Sequence, residues 1–151
     1  MRFVVQVASD ARVITGDRVI GRISKGLMVL IGIEDADTRE IADRMIKKLL
    51  GLRIFPDEND KTNLNLRQVG GELLLVSQFT LYADCRHGNR PSFTNAGKPE
   101  FAEELYKYII DKCRENEIHT ETGEFGAKMR LFFTNEGPFT IILDSEELFG
   151  M

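Results

Sequence analysis

The stretch Glu72-Leu73-Leu74-Leu75-Val76-Ser77-Gln78-Phe79-Thr80-Leu81 decides how this chain is read. Its four consecutive apolar residues after Glu72 suit a strand covered on both faces, and the spacing predicts a strand over 72–81. The second half of the run changes character. It places Ser, Gln and Thr where a buried sheet would continue with Val, Ile or Leu, and a strand that gives up core burial in this way does so for a site. The segment Asn135-Glu136-Gly137-Pro138-Phe139-Thr140 repeats the pattern near the C-terminus.

Working outward, Leu27–Ile33 is apolar on both faces and predicts a central strand, entered through a turn at Lys25-Gly26. Residues 3–8, 11–15 and 18–23 are short β-rich runs punctuated by Asp10 and Gly16-Asp17, as in an antiparallel meander. Asp37-Thr38-Arg39-Glu40 has the spacing of a helix cap, and Ile41, Met45 and Leu49 form an apolar stripe that ends at Gly51. Pro56–Lys61 and Gly70-Gly71 are polar turns, with Leu64 and Leu66 between them on a half-buried strand. Residues 83–97 form a loop, and 99–115 form a second helix through Phe101, Leu105, Tyr108 and Ile109. Met129–Thr134 and Phe139–Leu143 predict two strands joined by Asn135–Pro138. Residues 1–151 thus predict a single domain of α/β class. Its sheet is mixed, largely antiparallel, curved and barrel-like, and carries two main helices.

Bulk properties exclude several classes. A chain of 151 residues, 42% hydrophobic and 29% charged, can bury a sizeable core without staples. The apolar run Leu27–Ile33 falls far short of the about 20 residues a membrane span requires. The N-terminus lacks the pattern of a secretory signal, and Cys85 and Cys113 lack metal spacing, so a cytoplasmic protein with reduced thiols is expected. The formal net charge of −4 argues against broad coating of nucleic acid but allows a grip on one RNA end.

No Gly-x-Ser-x-Gly elbow, phosphate-binding loop or dinucleotide fingerprint is present, and the two histidines, His87 and His119, have no nucleophile beside them in sequence. Two readings stand for Ser77 and Thr80. Their hydroxyls cap the backbone where the strand stops, or with the Gln78 amide they face an ester and a ribose. Gly137-Pro138 is an ordinary turn or a cis bond whose parallel carbonyls form an acceptor pair. Arg86, His87, Arg90 and Lys98 are a solvated loop or a grip on phosphate. Phe125 and Met129 pack into the core or flank a purine.

With these residues laid out, the chain resembles the D-aminoacyl-tRNA deacylases, also called D-tyrosyl-tRNA deacylases, over nearly its full length. The resemblance rests on Ser77-Gln78-Phe79-Thr80-Leu81, Arg90-Pro91-Ser92-Phe93, Thr122-Gly123-x-Phe125 and Asn135-x-Gly137-Pro138-x-Thr140. It implies a homodimeric hydrolase without metal or organic cofactor that removes D-amino acids, and also glycine, from the 3′ end of tRNA. On that resemblance Ser77, Gln78, Phe79 and Thr80 hold the ester and terminal ribose as the catalytic segment, and Phe125 and Met129 lie near the adenine. Asn135, Gly137 and Pro138 of one subunit enter the other's site and reject L-residues. Arg86, Arg90 and Lys98 are candidates for the tRNA backbone.

The family's threonine has been viewed as a nucleophile. Thr80 has no evident base beside it, however, and an activated ester needs chiefly positioning and backbone N–H donors, with the substrate's 2′-hydroxyl and water completing the chemistry. Two departures stand out. Gln6-Val7-Ala8 replaces the family's usual Gln-Arg-Val, so that either another basic residue, with Arg2 and Arg12 as candidates, takes over the arginine's role in fixing the Gly-Pro segment or the filter is looser. Phe139 stands where Val is common. The rival from another class is a non-catalytic nucleic-acid-binding module on the same fold.

Overall fold

The computed structural model describes residues 1–151, and its spine is a pair of long antiparallel strands, β1 (Arg2–Thr15) and β2 (Arg18–Gly32), joined through Gly16-Asp17. After α1 (Arg39–Gly51), the short strands β3 (Phe55–Pro56) and β4 (Thr62–Leu64) form a hairpin. There follow β5 (Glu72–Ser77), α2 (Pro99–Glu115), β6 (Thr120–Thr122), β7 (Arg130–Asp144) and α3 (Ser145–Phe149). The main sheet has the order β6-β5-β2-β1-β7, parallel across β6-β5-β2 and antiparallel across β2-β1-β7.

Both faces of β5 are covered, which explains its unbroken apolar run. Leu73 and Leu75 point into a core of 25 buried residues shared with α1 and α2, whereas Leu74 and Val76 join a cluster of seven on the opposite face. That second face is covered by the sheet itself. Met129, Leu131 and Phe133, at the start of β7, pack onto it, and the Met129 sulfur accepts from the Glu124 amide just beyond β6 at 3.4 Å. The two edges of the sheet therefore curl toward each other, as the barrel-like expectation requires. Thr38 caps α1 by accepting from the Ile41 amide at 3.2 Å, and Ile41, Met45 and Leu49 are buried as their spacing predicts.

Several expected breaks are not ends of strands. Asp10 sits inside β1 with φ +49°, at a register shift against β7. Lys25-Gly26 continues β2 instead of turning it. Residues 129–134 and 139–143 do not pair with each other, because both halves belong to β7 and pair with β1. Asn135 lies opposite Ala8 and Thr140 opposite Gln6, so residues 136–139 bulge out of the ladder. The strand predicted over 72–81 stops at Ser77, and Phe79–Tyr82 form a 3-10 turn. Leu66 is buried beyond the end of β4 and not within a strand. The strand β6 and the helix α3 had no expectation.

Gly26 shows why β2 and β5 fit together. Its φ is +156°, and a Cβ there would lie 1.8 Å from the Glu72 carbonyl oxygen. We expect Gly26→Ala to destabilise the fold by about 3 kcal/mol or more, lowering the melting midpoint by roughly 6–12 °C. Gly51→Ala, at a helix end with open space around it, should be neutral or slightly stabilising. Calorimetry of the two variants tests the contrast, and equal midpoints would contradict it.

Candidate functional site

A cavity of about 670 Å³ opens where β5 ends, beside the carboxyl edge of the parallel strands. Ser77, Gln78 and Phe79 form one wall. The segment Phe93–Pro99, running into α2, supplies another through Phe93, Thr94 and Lys98; the loop before β7 supplies Phe125 and Met129, and β7 itself supplies Leu131. Ile33, Val76 and Ala102 also line it, and Lys98 is the one charged residue among its lining side chains. No Asp, Glu or His reaches this wall.

The chain turns at Gln78 because β2 has run out of ladder. The Gln78 amide donates to the Ile31 carbonyl at 2.8 Å, and the next bond, from the Leu81 amide, closes back onto the Gln78 carbonyl at 3.2 Å. The amides of Phe79 and Thr80 open the resulting 3-10 turn and find no carbonyl within it to bond. Thr80 is exposed and does not line the cavity; its hydroxyl accepts from the Gln78 side-chain amide at 2.5 Å.

Arg2 braces this turn from below. It donates to the Leu81 carbonyl at 2.7 Å and to Asp144 at 2.8 Å, and its guanidinium lies 4.9 Å from the centre of the Tyr82 ring. Pairing with Asp144 raises the guanidinium's pKa further above its ordinary value, against the opposing effect of burial. The Tyr82 phenol is pushed well above its usual range, first by burial and then by Asp37 and Glu34, so it remains a neutral group.

The second motif is held by its own side chains. The Asn135 carboxamide oxygen accepts from the Phe139 amide at 2.7 Å, while its nitrogen donates to Thr140 Oγ1 at 3.0 Å. Gln6 adds a bond to the same Thr140 hydroxyl at 3.3 Å, and Ser9 donates to Glu136 at 2.7 Å. The Gly137-Pro138 bond is cis, with Gly137 at φ +130°. Arg2 and Arg12, the candidate replacements for the family's arginine, do not hold this segment. Arg2 is committed to Leu81 and Asp144, and Arg12 lies 4.6 Å from the centre of the Phe132 ring. Val7 has no partner in β7 because it falls opposite the bulge.

Of the residues singled out in the sequence, the cavity brings together Ser77, Gln78, Phe79, Phe125, Met129 and Lys98. It does not include Asn135, Gly137 or Pro138. The bulge lies four residues along β1 from the level of Phe3, which pairs with Ile31 and so marks the level of Ser77. That is roughly 13 Å along the strands, and Leu131, the β7 residue that lines the cavity, is likewise four residues from Asn135. Arg86 is also apart, bound twice to Asp84 at 2.9 and 2.7 Å; these bonds hold the Asp84 carboxyl down at about 2. Arg90 is exposed in the same loop. Sequence reasoning missed Arg2 as the brace and Phe93 as a cavity wall. The sequence held two signals for Phe93, an aromatic residue inside a polar loop and its place at the end of Arg90-Pro91-Ser92-Phe93.

The comparisons with known proteins agree with this architecture. The family model described as D-Tyr-tRNA(Tyr) deacylase matches residues 4–144. A D-aminoacyl-tRNA deacylase from Clostridioides difficile (strain 630) is 51% identical over 99% of this chain and 100% of its own length, and one from Thermosipho melanesiensis is 48% identical over the same shares. Among solved structures, a c-Myc DNA unwinding element binding protein superposes with TM-score 0.88 at 38% identity, covering 95% of this chain and 98% of its own. A structure described as a probable eukaryotic D-amino acid tRNA deacylase gives TM-score 0.78 at 18% identity over 94% and 97%, a likeness of fold. The protein is a mixed α/β hydrolase with its cavity at the end of a parallel strand pair. The chain belongs to the D-Tyr-tRNA(Tyr) deacylase family. None of its helices is long and apolar enough to cross a membrane.

Arg2→Met should leave the sheet intact and loosen the turn above it. A charge-assisted bond that is partly solvated contributes about 1–2 kcal/mol, so amide exchange at Leu81–Ala83 should accelerate roughly tenfold. Unchanged exchange there would mean that the turn holds itself.

Proposed function

We propose that this protein hydrolyses the ester of D-aminoacyl-tRNA, releasing the free D-amino acid and tRNA, and that it accepts glycyl-tRNA as well. The observation that carries this reading is the cavity, where Ser77, Gln78 and Phe79 meet Phe125 and Met129 around a space whose one charged side chain is Lys98. Such a space suits the terminal adenosine of an anionic chain, with the purine near Phe125 and Met129 and the ester near the turn.

The chemistry in this reading needs no side-chain nucleophile. No carboxylate or imidazole lines the cavity to take a proton from Thr80, whose hydroxyl is bonded to Gln78. The amides that open the 3-10 turn are suited to stabilise the oxyanion, and the loss of one such donor typically costs about 10²–10³ in rate. The substrate's ribose 2′-hydroxyl and a water complete the step.

Chiral selection is assigned to Gly137 and Pro138 of a second copy. The bulge lies outside its own cavity, four residues along β7 from Leu131, and Glu136, Gly137 and Pro138 are exposed. A homodimer in which each bulge enters the partner's cavity would let backbone atoms read the α-carbon. Side chains would then be ignored and the L-hand excluded. The proposed compartment is the cytoplasm.

The deciding experiment is hydrolysis of D-Tyr-tRNA and L-Tyr-tRNA side by side. Rapid loss of the D-ester alone supports the reading, and loss of both would mean a relaxed filter. Retention of both would favour the second reading, a non-catalytic nucleic-acid-binding module, to which the name of the DNA unwinding element binding protein gives its one specific support. A Cβ on Gly137 would meet the Phe139 amide at 2.9 Å, so Gly137→Ala should displace the filter. We expect the D-to-L rate ratio to fall at least about tenfold in Gly137→Ala, while Thr80→Ser lowers kcat by less than about tenfold. Equal effects of the two substitutions on ratio and turnover would contradict this division of roles.

A further inference from the structure

Phe79 and Phe93 stand at the outer end of the cavity, and nothing in the reaction above uses their rings. Phe79 is 55% exposed and Phe93 is 38% exposed, whereas Phe125, on the loop before β7, is half-buried against the core and Tyr106. The two exposed rings come from separate segments, the 3-10 turn and the loop before α2. They meet edge to face, with centroids 5.1 Å apart and planes at 77°. The turn beneath Phe79 is fixed by the bonds from Gln78 to Ile31 and from Arg2 to Leu81, so the aromatic pair is presented in one orientation. Lys98 shares the cavity wall, which contains no carboxylate. Exposed aromatic rings beside a cation in a groove are what single-stranded nucleic acid requires of a protein: π-faces for the bases and positive charge for the backbone.

We propose that Phe79 and Phe93 form a stacking platform for the unpaired nucleobase that immediately precedes the terminal adenosine of the substrate. This assignment rests on the deacylase reading, which places the terminal adenosine deeper in the same cavity. The 5′-linked nucleotide then leaves through the mouth, where the two rings and Lys98 stand. The absence of acidic residues on this wall favours a polyanion over a peptide or a second copy of this acidic chain.

The test compares two esters of D-tyrosine, one on adenosine alone and one on the trinucleotide cytidylyl-cytidylyl-adenosine. On the wild-type protein, kcat/KM for the trinucleotide ester should exceed that for the adenosine ester by about 5- to 100-fold, the value of one base stacked on an aromatic ring. Phe93→Leu should remove most of that preference, lowering kcat/KM for the trinucleotide ester by a clearly larger factor than for the adenosine ester. Absence of a preference in the wild type, or an equal loss on both esters in the variant, would overturn the platform. A second measurement does not depend on turnover. The chain contains no tryptophan, so the fluorescence of an uncharged trinucleotide with 2-aminopurine at the penultimate position reports stacking directly. Quenching by the wild type and its loss in Phe93→Leu is expected. Quenching without turnover of either ester would retain the platform and defeat the deacylase reading. No quenching would overturn the platform even in an active enzyme.

Discussion

The parallel pairing of β5 with β2 is the constraint on which the rest of the structure depends. Gly26 lets the two backbones approach so closely that a side chain there would overlap the Glu72 carbonyl, and from that contact the register runs without a shift to Ile31 opposite Ser77. The ladder then ends, because β2 stops at Gly32. Gln78 takes the last carbonyl, the chain closes into the 3-10 turn, and the cavity begins. The position of the first motif is therefore a consequence of strand length and register. Arg2 extends the same logic across the sheet by tying the turn to the end of β7 through Leu81 and Asp144.

Much of this was legible from residue pattern, and the failures share one physical cause. The stripes of α1 and α2, the doubly buried run of β5 and the turn between β3 and β4 depend on local periodicity, which a sequence displays directly. Asp10, Gly26 and Gly137-Pro138 were read as ends of elements because each signals an unusual local backbone. A bulge inside a long strand, as at Asp10 and Gly137-Pro138, or a close approach of two strands, as at Gly26, asks for the same residue types as a turn between two short strands. Only the partner strand distinguishes them, and in all three cases the partner lies many residues away. The three-residue strand β6 carries too little pattern to read alone and exists because its backbone extends the parallel ladder.

The candidate site divides in a similar way. Ser77, Gln78 and Phe79 were visible because polar or exposed residues interrupt an apolar run. Phe125 stood out because it lies among glycines, and Met129 was picked out beside it in the same stretch. The roles of Phe93 as a cavity wall and of Arg2 as the brace of the turn come from geometry. One is an aromatic residue in a polar loop, and the other is a charged residue at the start of a strand. The basic loop shows the opposite error. Arg86 has the residue type expected of a phosphate grip, but its guanidinium is already bound by Asp84, two residues away.

Within the proposed function, the construction of the bulge bears on how strict a chiral filter can be. Asn135 spends its carboxamide oxygen on the Phe139 amide and one of its two N–H hydrogens on the Thr140 hydroxyl, both within residues 135–140. Gln6 and Ser9 fasten only the two flanks. The segment between is shaped by its own bonds, with no arginine from the neighbouring strand taking part, and Val7 stands at the position facing it. In the proposed homodimer, a self-supporting loop of this kind would carry its shape with it into the other subunit. A filter made of backbone atoms is also indifferent to the substrate's side chain. In the proposed homodimer, breadth toward D-residues and exclusion of L-residues would then follow from one geometric element, without a pocket fitted to any particular amino acid.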